Sequence, residues 1–261
     1  MQGPIRIYIG SEPKTEIFRI VLEHSIKTRT QAEVVTTPMI GQGWEIPPDM
    51  PAGTGFSLRR WIIASRQGTG RAIYMDADQL VLGDVRELWS FPDTMPKEGC
   101  TTWCTYQPDK FSKSPWPQSS VMVIDCDAAA GQWGWQEQKM YDYLRGRDRG
   151  SKEYVNFMHA TWQNPQPVEI PVEWNHLNVL QPGKTKLLHY TKEPEQPCYN
   201  PSHPHADIWR RELVETIKAN KIPKKMFEEA LANFGKQADW RKSNGLHPVY
   251  KKYLPLFDQV K

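Results

Sequence analysis

The sequence predicts an α/β fold, a sheet flanked by helices, and three features predict it. First, Ile5-Arg6-Ile7-Tyr8-Ile9 alternates with the period of a strand and stops at Gly10-Ser11. Ile17, Ile20, Val21 and His24 then fall on one helical face between Thr15 and Lys27, and a second strand follows over Ala32 to Thr36. Strand, helix and strand in that order require a parallel pairing. Second, the apolar run Ala72-Ile73-Tyr74-Met75 ends at Asp76-Ala77-Asp78, and a second run, Leu80 to Leu82, is closed by Gly83. Third, Val121 to Ile124 and Lys186 to Tyr190 are further short apolar runs of strand length.

The remaining elements are read in order. Met39 to Gly55 is rich in Gly and Pro and reads as a mobile loop over the sheet edge. Leu58, Trp61, Ile62 and Ser65 give Ser57 to Arg66 helical spacing, ended by Gly68. Asp84 to Trp89 reads as a short helix capped by Asp84. Pro92 to Pro117 reads as irregular. Asp127 to Leu144 reads as one long helix and Ser151 to Trp162 as another. Glu169 to Val172 suits an edge strand, and Ala206 to Asn220 and Lys224 to Asn233 form two terminal helices. Residues 1–205 are expected to form the main domain, and 206–261 a short helical extension with a basic tail.

At 261 residues the chain can bury a substantial core, and 39% hydrophobic with 24% charged residues is ordinary for a soluble globular protein. A net charge of +3 is too small to imply nucleic acid as a partner. From Lys236 onward Lys236, Arg241, Lys242, Lys251, Lys252 and Lys261 face only Asp239 and Asp258, so the tail suits peripheral contact with an anionic membrane or simply a solvated end. No apolar stretch approaches the roughly 20 residues that cross a bilayer. Met1 to Pro4 show no charged-then-apolar leader, and Cys100, Cys104, Cys126 and Cys198 are too sparse for a disulfide scaffold, so a reducing cytoplasm is expected. The eleven tryptophans divide between core packing and platforms for sugar rings.

Asp76 and Asp78 stand where a strand ends, and in an open α/β sheet that edge binds ligands. Two hard carboxylate ligands one residue apart suit Mg²⁺ or Mn²⁺ carrying nucleotide phosphates. The same tripeptide also occurs in solvated turns and helix caps. Gly10, Ser11 and Glu12 occupy the first strand-to-helix loop beside this edge, and His189 ends another apolar strand.

With these elements in place the chain resembles glycosyltransferase family 8, GT-A-fold enzymes that include glycogenin and bacterial lipopolysaccharide hexosyltransferases. The resemblance covers roughly Ile5 to His205. It rests on Arg60, on Ala72-Ile73-Tyr74-Met75-Asp76-Ala77-Asp78, and on Val81-Leu82-Gly83-Asp84-Val85-Arg86-Glu87-Leu88-Trp89. Trp174-Asn175 is similar to a pair that the family carries after its acceptor-side helices, and Leu187-Leu188-His189-Tyr190 to the run around its third metal ligand. The resemblance implies a Rossmann-like mixed sheet with a short C-terminal helical appendage. It implies transfer of a hexose, glucose or galactose, from a UDP-sugar to a carbohydrate or small-molecule hydroxyl with retention of configuration. It implies Asp76, Asp78 and His189 as ligands of Mn²⁺ or Mg²⁺, and donor contacts from Ile9, Gly10, Ser11, Glu12, Arg60, Ala77 and Gln118.

The chain departs from the family at three places. Gln118-Ser119-Ser120 stands where the family has Asn-Ser-Gly. An Asp-Gln pair has its nearest counterpart in Ser151-Lys152-Glu153-Tyr154-Val155-Asn156, which makes Glu153 the candidate carboxylate at the sugar carbon. Thr191 to Cys198 replaces Gly and Lys-Pro-Trp, leaving Lys192 as the candidate phosphate cation.

The chemistry asks for charge. At about 4 Å and an effective dielectric near 20, a pair of unit charges interacts by roughly 4 kcal/mol. Each ~1.4 kcal/mol is tenfold in rate, so neutralising a nucleoside diphosphate leaving group is worth orders of magnitude. Two other readings compete: a sugar-nucleotide-binding relic without turnover, and a haloacid-dehalogenase-type phosphatase with Asp76 as nucleophile. The phosphatase expects Thr or Val where Leu80 stands, and a later acidic pair.

Overall fold

Ile5, Ile7 and Ile9 are buried while Arg6 between them is exposed, so the first strand carries the alternation its sequence announced. In the computed structural model this is β1 (Ile5–Gly10). The structure describes residues 3–52, 54, 56–108, 114–191, 196–197, 203–229 and 249–259. The chain divides into two units, one built from Met1–Glu12, Gln31–Asp76 and Val85–Asn175, the other from Pro13–Thr30, Ala77–Asp84 and His176–Lys261.

The first unit holds a six-stranded mixed sheet. β2 (Val34–Pro38) pairs parallel to β1, and so does β3 (Arg71–Asp76), as the strand-helix-strand opening requires. β6 (Pro115–Asp125) lies antiparallel to β3 and to β5 (Thr102–Pro108), and β7 (Val168–Glu169) adds a parallel edge, giving the order β2-β1-β3-β6-β5-β7. The stretch Pro92 to Pro117 is therefore not irregular. It contains β5, whose Thr, Trp, Cys and Tyr suit a pleated buried surface, and the short helix α4 (Phe91–Thr94), which follows α3 (Val85–Trp89).

The expected helix over Asp127 to Leu144 is broken. It comprises α5 (Cys126–Ala129), a 3-10 turn Trp133–Trp135, and α6 (Glu137–Leu144). The cause is packing on a helix breaker: a Cβ on Gly134 would meet the Trp162 ring at 2.6 Å. Trp162 belongs to an aromatic cluster with Trp61, Trp133, Trp135 and Phe157, ring centroids 5.2–6.0 Å apart. Five of the chain's large rings thus serve as core. α7 (Lys152–Met158) is capped by Ser151, whose hydroxyl accepts from the Tyr154 amide, and stops short of the expected Trp162. The helix expected over Ser57 to Arg66 forms as a 3-10 turn Arg59–Ile62 running into α2 (Ile63–Gln67). Met39 and Met50 are buried in this unit's core, so the loop between them is tied down by its own side chains.

The second unit holds α1 (Glu16–Thr28) and α8 (Ala206–Lys218), whose Phe18 and Trp209 rings lie 5.0 Å apart. Glu212 is bound by His24 Nδ1 and Arg29 Nη2, each at 2.6 Å. A three-stranded sheet of β4 (Gln79–Val81), β9 (Leu187–His189) and β8 (His176–Leu177) completes it, with β4 antiparallel and β8 parallel to β9. Ser25 Oγ on α1 accepts from the Val81 amide, tying helix to sheet. The second terminal helix is present at 224–229, and its remainder, with the basic residues Lys236 to Lys242, lies outside the described residues. No helix among the described residues is long and apolar enough to cross a membrane.

Candidate metal and nucleotide site

Asp76 is the last residue of β3, opposite Gly10 at the end of β1. Four buried residues, Ala72 to Met75, precede it, so an apolar strand ends directly on a carboxylate. Oδ1 is held by two donors: Arg60 Nη2 at 3.1 Å and the hydroxyl of Tyr74. Tyr74 lies two residues upstream, on the same face of the strand. Arg60 is itself buried. Its Nη1 donates to the Ser119 carbonyl at 2.6 Å and hydroxyl at 3.1 Å, and its guanidinium sits 4.7 Å over the Tyr74 ring.

Asp78 follows directly on the buried Ala77 and immediately precedes β4 of the second unit's three-stranded sheet. Its backbone oxygen accepts from the Tyr190 amide at 3.0 Å, and Oδ2 accepts from Gln196 Nε2 at 2.9 Å. Oδ1 is buried with no hydrogen bond among the described residues, 3.3 Å from His189 Nε2. The register of β4 against β9 sets this approach, because Gln79 stands opposite His189.

Asp78 and His189 each offer a ligand atom, 3.3 Å apart, and Asp76 stands two residues before Asp78 in the chain. Two carboxylates and an imidazole form a mixed oxygen and nitrogen donor set suited to Mn²⁺ or Mg²⁺. The fit rests on Asp78 Oδ1: a buried carboxylate oxygen without a hydrogen bond is costly, and a divalent cation shared with His189 satisfies it. His189 closes a strand of the smaller sheet rather than of the sheet that ends at Asp76.

The other residues singled out by the sequence are placed as follows. Ile9 and Gly10 end β1, and Ser11 is buried just beyond it. The Ser11 carbonyl accepts from Arg59 Nη1 at 3.0 Å, and Glu12 follows, partly buried. Gln118 lies in β6 opposite Thr105, and its neighbours are engaged: Ser119 by Arg60, Ser120 by Asn175 Nδ2 at 3.0 Å. Glu153 is exposed in the first turn of α7, and no hydrogen bond or ion pair among the described residues links it to Asp76, Asp78 or His189. Lys192 lies outside the described residues. Sequence reasoning missed Tyr74 and Gln196 as partners of these carboxylates, and Ser119 as the acceptor that holds Arg60. The two-residue period of the strand was a signal for Tyr74; Gln196 carried none.

No family model matches the chain. A relative from Arabidopsis thaliana, Protein CDI, is 26% identical over 242 residues, 84% of this chain and 89% of the relative. Among solved structures the galactosyltransferase LgtC, determined with donor and acceptor sugar analogues, aligns with a TM-score of 0.52 at 12% identity, covering 80% of this chain and 95% of LgtC. The fold is GT-A-like. The glycosyltransferase GlyE of Streptococcus pneumoniae aligns with a TM-score of 0.60 at 11% identity over 81% of this chain, and the bifunctional glycosyltransferase WbbM with 0.58 at 11% over 83%. The chain spans 60% of GlyE and half of WbbM. These structural neighbours are glycosyltransferases, and what they share with this chain is the fold.

Proposed function

We propose that the chain is a metal-dependent glycosyltransferase that moves a hexose, glucose or galactose, from a UDP-sugar to a hydroxyl of a carbohydrate or small-molecule acceptor with retention of configuration. The observation that carries the reading is the approach of His189 to Asp78, two residues after Asp76, with Asp78 Oδ1 left without a hydrogen bond among the described residues. In this reading those three side chains hold Mn²⁺ or Mg²⁺, which when bound supplies positive charge to the diphosphate leaving group. Arg60 and Tyr74 fix Asp76, so that it meets the cation without reorganising. Ile9 to Glu12, Ala77 and Gln118 contact the nucleotide, and Lys192 adds charge at the phosphates. Residues 1–205 form the transferase domain and 206–261 its extension, with the basic tail as a peripheral membrane contact.

One observation favours a second reading. Glu153 is exposed and has no bond to the cluster, which leaves the sugar carbon without an assigned carboxylate and suits a nucleotide-sugar binder that lacks turnover. The phosphatase reading loses support, because the solved structures sharing this fold are glycosyltransferases. Calorimetry with UDP, with Mn²⁺ or with EDTA, and turnover of a radiolabelled UDP-sugar panel against cell extracts decide the matter. Metal-dependent UDP binding with transfer is the expected result. Equal UDP affinity in EDTA removes the metal bridge, and metal-dependent binding without transfer to any acceptor selects the second reading.

A further inference from the structure

We propose that Gln196 is a positioning residue for this site: by engaging one oxygen of Asp78 it reserves the other for the cation. The inference rests on the metal-bridged reading above.

The amide nitrogen of Gln196 has two hydrogens, and both are used. One goes to Asp78 Oδ2 at 2.9 Å, the other to the Tyr190 carbonyl at 3.1 Å. Tyr190 returns a bond from its own amide to the Asp78 carbonyl at 3.0 Å. Asp78 is thereby tied at its backbone to Tyr190 and at its side chain to Gln196. Tyr190 has an anchor of its own: fully buried, it donates its hydroxyl to the His205 carbonyl at 3.0 Å and meets the His203 ring edge-on at 5.1 Å. Gln196 is buried as well, so water does not compete for its hydrogens. Nothing in this arrangement depends on a cation being bound.

A carboxylate free to turn about its last torsion offers either oxygen, or both, to a cation. With Oδ2 engaged, Oδ1 is the oxygen left facing His189 Nε2 at 3.3 Å. The donor is also neutral. Arg60 on Asp76 brings a full positive charge that opposes a second cation at that carboxylate, whereas an amide orients Asp78 and leaves its charge undiminished. The two carboxylates are thus unequal, and Asp78 is the stronger electrostatic ligand. Partners of this kind behind a metal ligand typically change affinity by about 10–100-fold when removed.

The test is Mn²⁺ titration of the full chain, read by the electron paramagnetic resonance signal of free Mn²⁺, in the presence of UDP. Gln196→Met keeps the volume and removes both donors. Gln196→Asn keeps the amide one methylene short of spanning both acceptors. Melting temperatures in EDTA report metal-free folding for each. The expected result is a 10–100-fold weaker Mn²⁺ affinity for Gln196→Met and a smaller loss for Gln196→Asn, with metal-free melting of Gln196→Asn close to wild type. If wild type binds Mn²⁺ and both folded variants match it, the positioning role is overturned while the metal site stands. If Gln196→Met does not fold, wild-type affinity in Gln196→Asn overturns the role by itself. If wild type binds no Mn²⁺, the metal reading fails and takes this inference with it.

Discussion

Arg60 Nη2 donates to Asp76 Oδ1 at 3.1 Å, and both side chains are nearly buried, so a carboxylate read as a metal ligand already carries a permanent positive partner. Such a pair is a stabilising device only while both members are present. Arg60→Ala removes the cation that the buried Asp76 carboxylate is paired with, and is expected to cost about 3–5 kcal/mol of stability. Arg60→Lys keeps the charge but cannot reach Ser119 and Asp76 together, so it should lose on the order of tenfold in turnover with a smaller fall in melting temperature. Thermal denaturation and initial rates measure both; a wild-type rate in folded Arg60→Lys shows that charge alone suffices.

Asp78→Asn removes a negative charge from the ligand carboxylate whose Oδ1 has no hydrogen bond among the described residues, so metal capture and turnover should fall together, by at least about a hundredfold. Asp76→Asn should do likewise. His189→Ala removes a neutral ligand whose place water takes, and excess Mn²⁺ should restore part of the rate. Initial rate against Mn²⁺ concentration separates the three. Wild-type rate and metal dependence in folded Asp78→Asn would reduce Asp76-Ala77-Asp78 to a structural turn.

Gly10 lies where a Cβ would press on the Tyr74 hydroxyl and come within 2.9 Å of the Phe56 ring. Gly10→Ala should therefore destabilise by about 1–3 kcal/mol through overpacking, and should disturb Asp76 through the tyrosine that holds it. Tyr74→Phe removes the obstructing oxygen. In a double-mutant cycle the pair should destabilise less than the sum of the single changes; additivity within about 0.3 kcal/mol means that the two positions do not interact.

Much of the site was legible because it is local. The apolar period of β3 ends at Asp76 and the next apolar run starts after Asp78, so two carboxylates between buried strands announce a purpose. His189 was legible for the same reason. The partners that orient these ligands were not. Gln196 lies 118 residues from Asp78, and an amide in a proline-containing stretch has no periodicity to mark it. β5 was hidden for a related cause: prolines at 108, 115 and 117 punctuate β5 and β6, and only their long-range pairing shows that Thr102–Pro108 is extended. The helix break at Gly134 is set by Trp162, which sequence spacing alone does not bring near.

Acid should act on the second unit first at Glu212. Burial alone would raise its pKa, but hydrogen bonds from Arg29 and His24, with their charges, hold it below the ordinary 4.5. A carboxyl depressed on folding contributes stability fully above its unfolded pKa and loses it as pH falls through the folded value. Stability should therefore decline below about pH 4.5. Glu212→Gln should lower stability at neutral pH by about 1.5–3 kcal/mol and flatten that acid limb. Urea denaturation at a series of pH values is the measurement, and an unchanged slope below pH 4.5 in the variant assigns the acid sensitivity elsewhere.

The pairing of α1 with α8 has a consequence for how the protein is made. His24 and Glu212 are 188 residues apart, and β4 likewise finds its partner strand only after residue 187. A ribosome adding about 5–20 residues per second takes roughly 10–40 s to cover that interval. Throughout it the apolar stripe of α1 lacks the part of its cover that α8 supplies, Trp209 against Phe18. During synthesis the nascent chain is a client for whatever shields exposed helices at the tunnel exit.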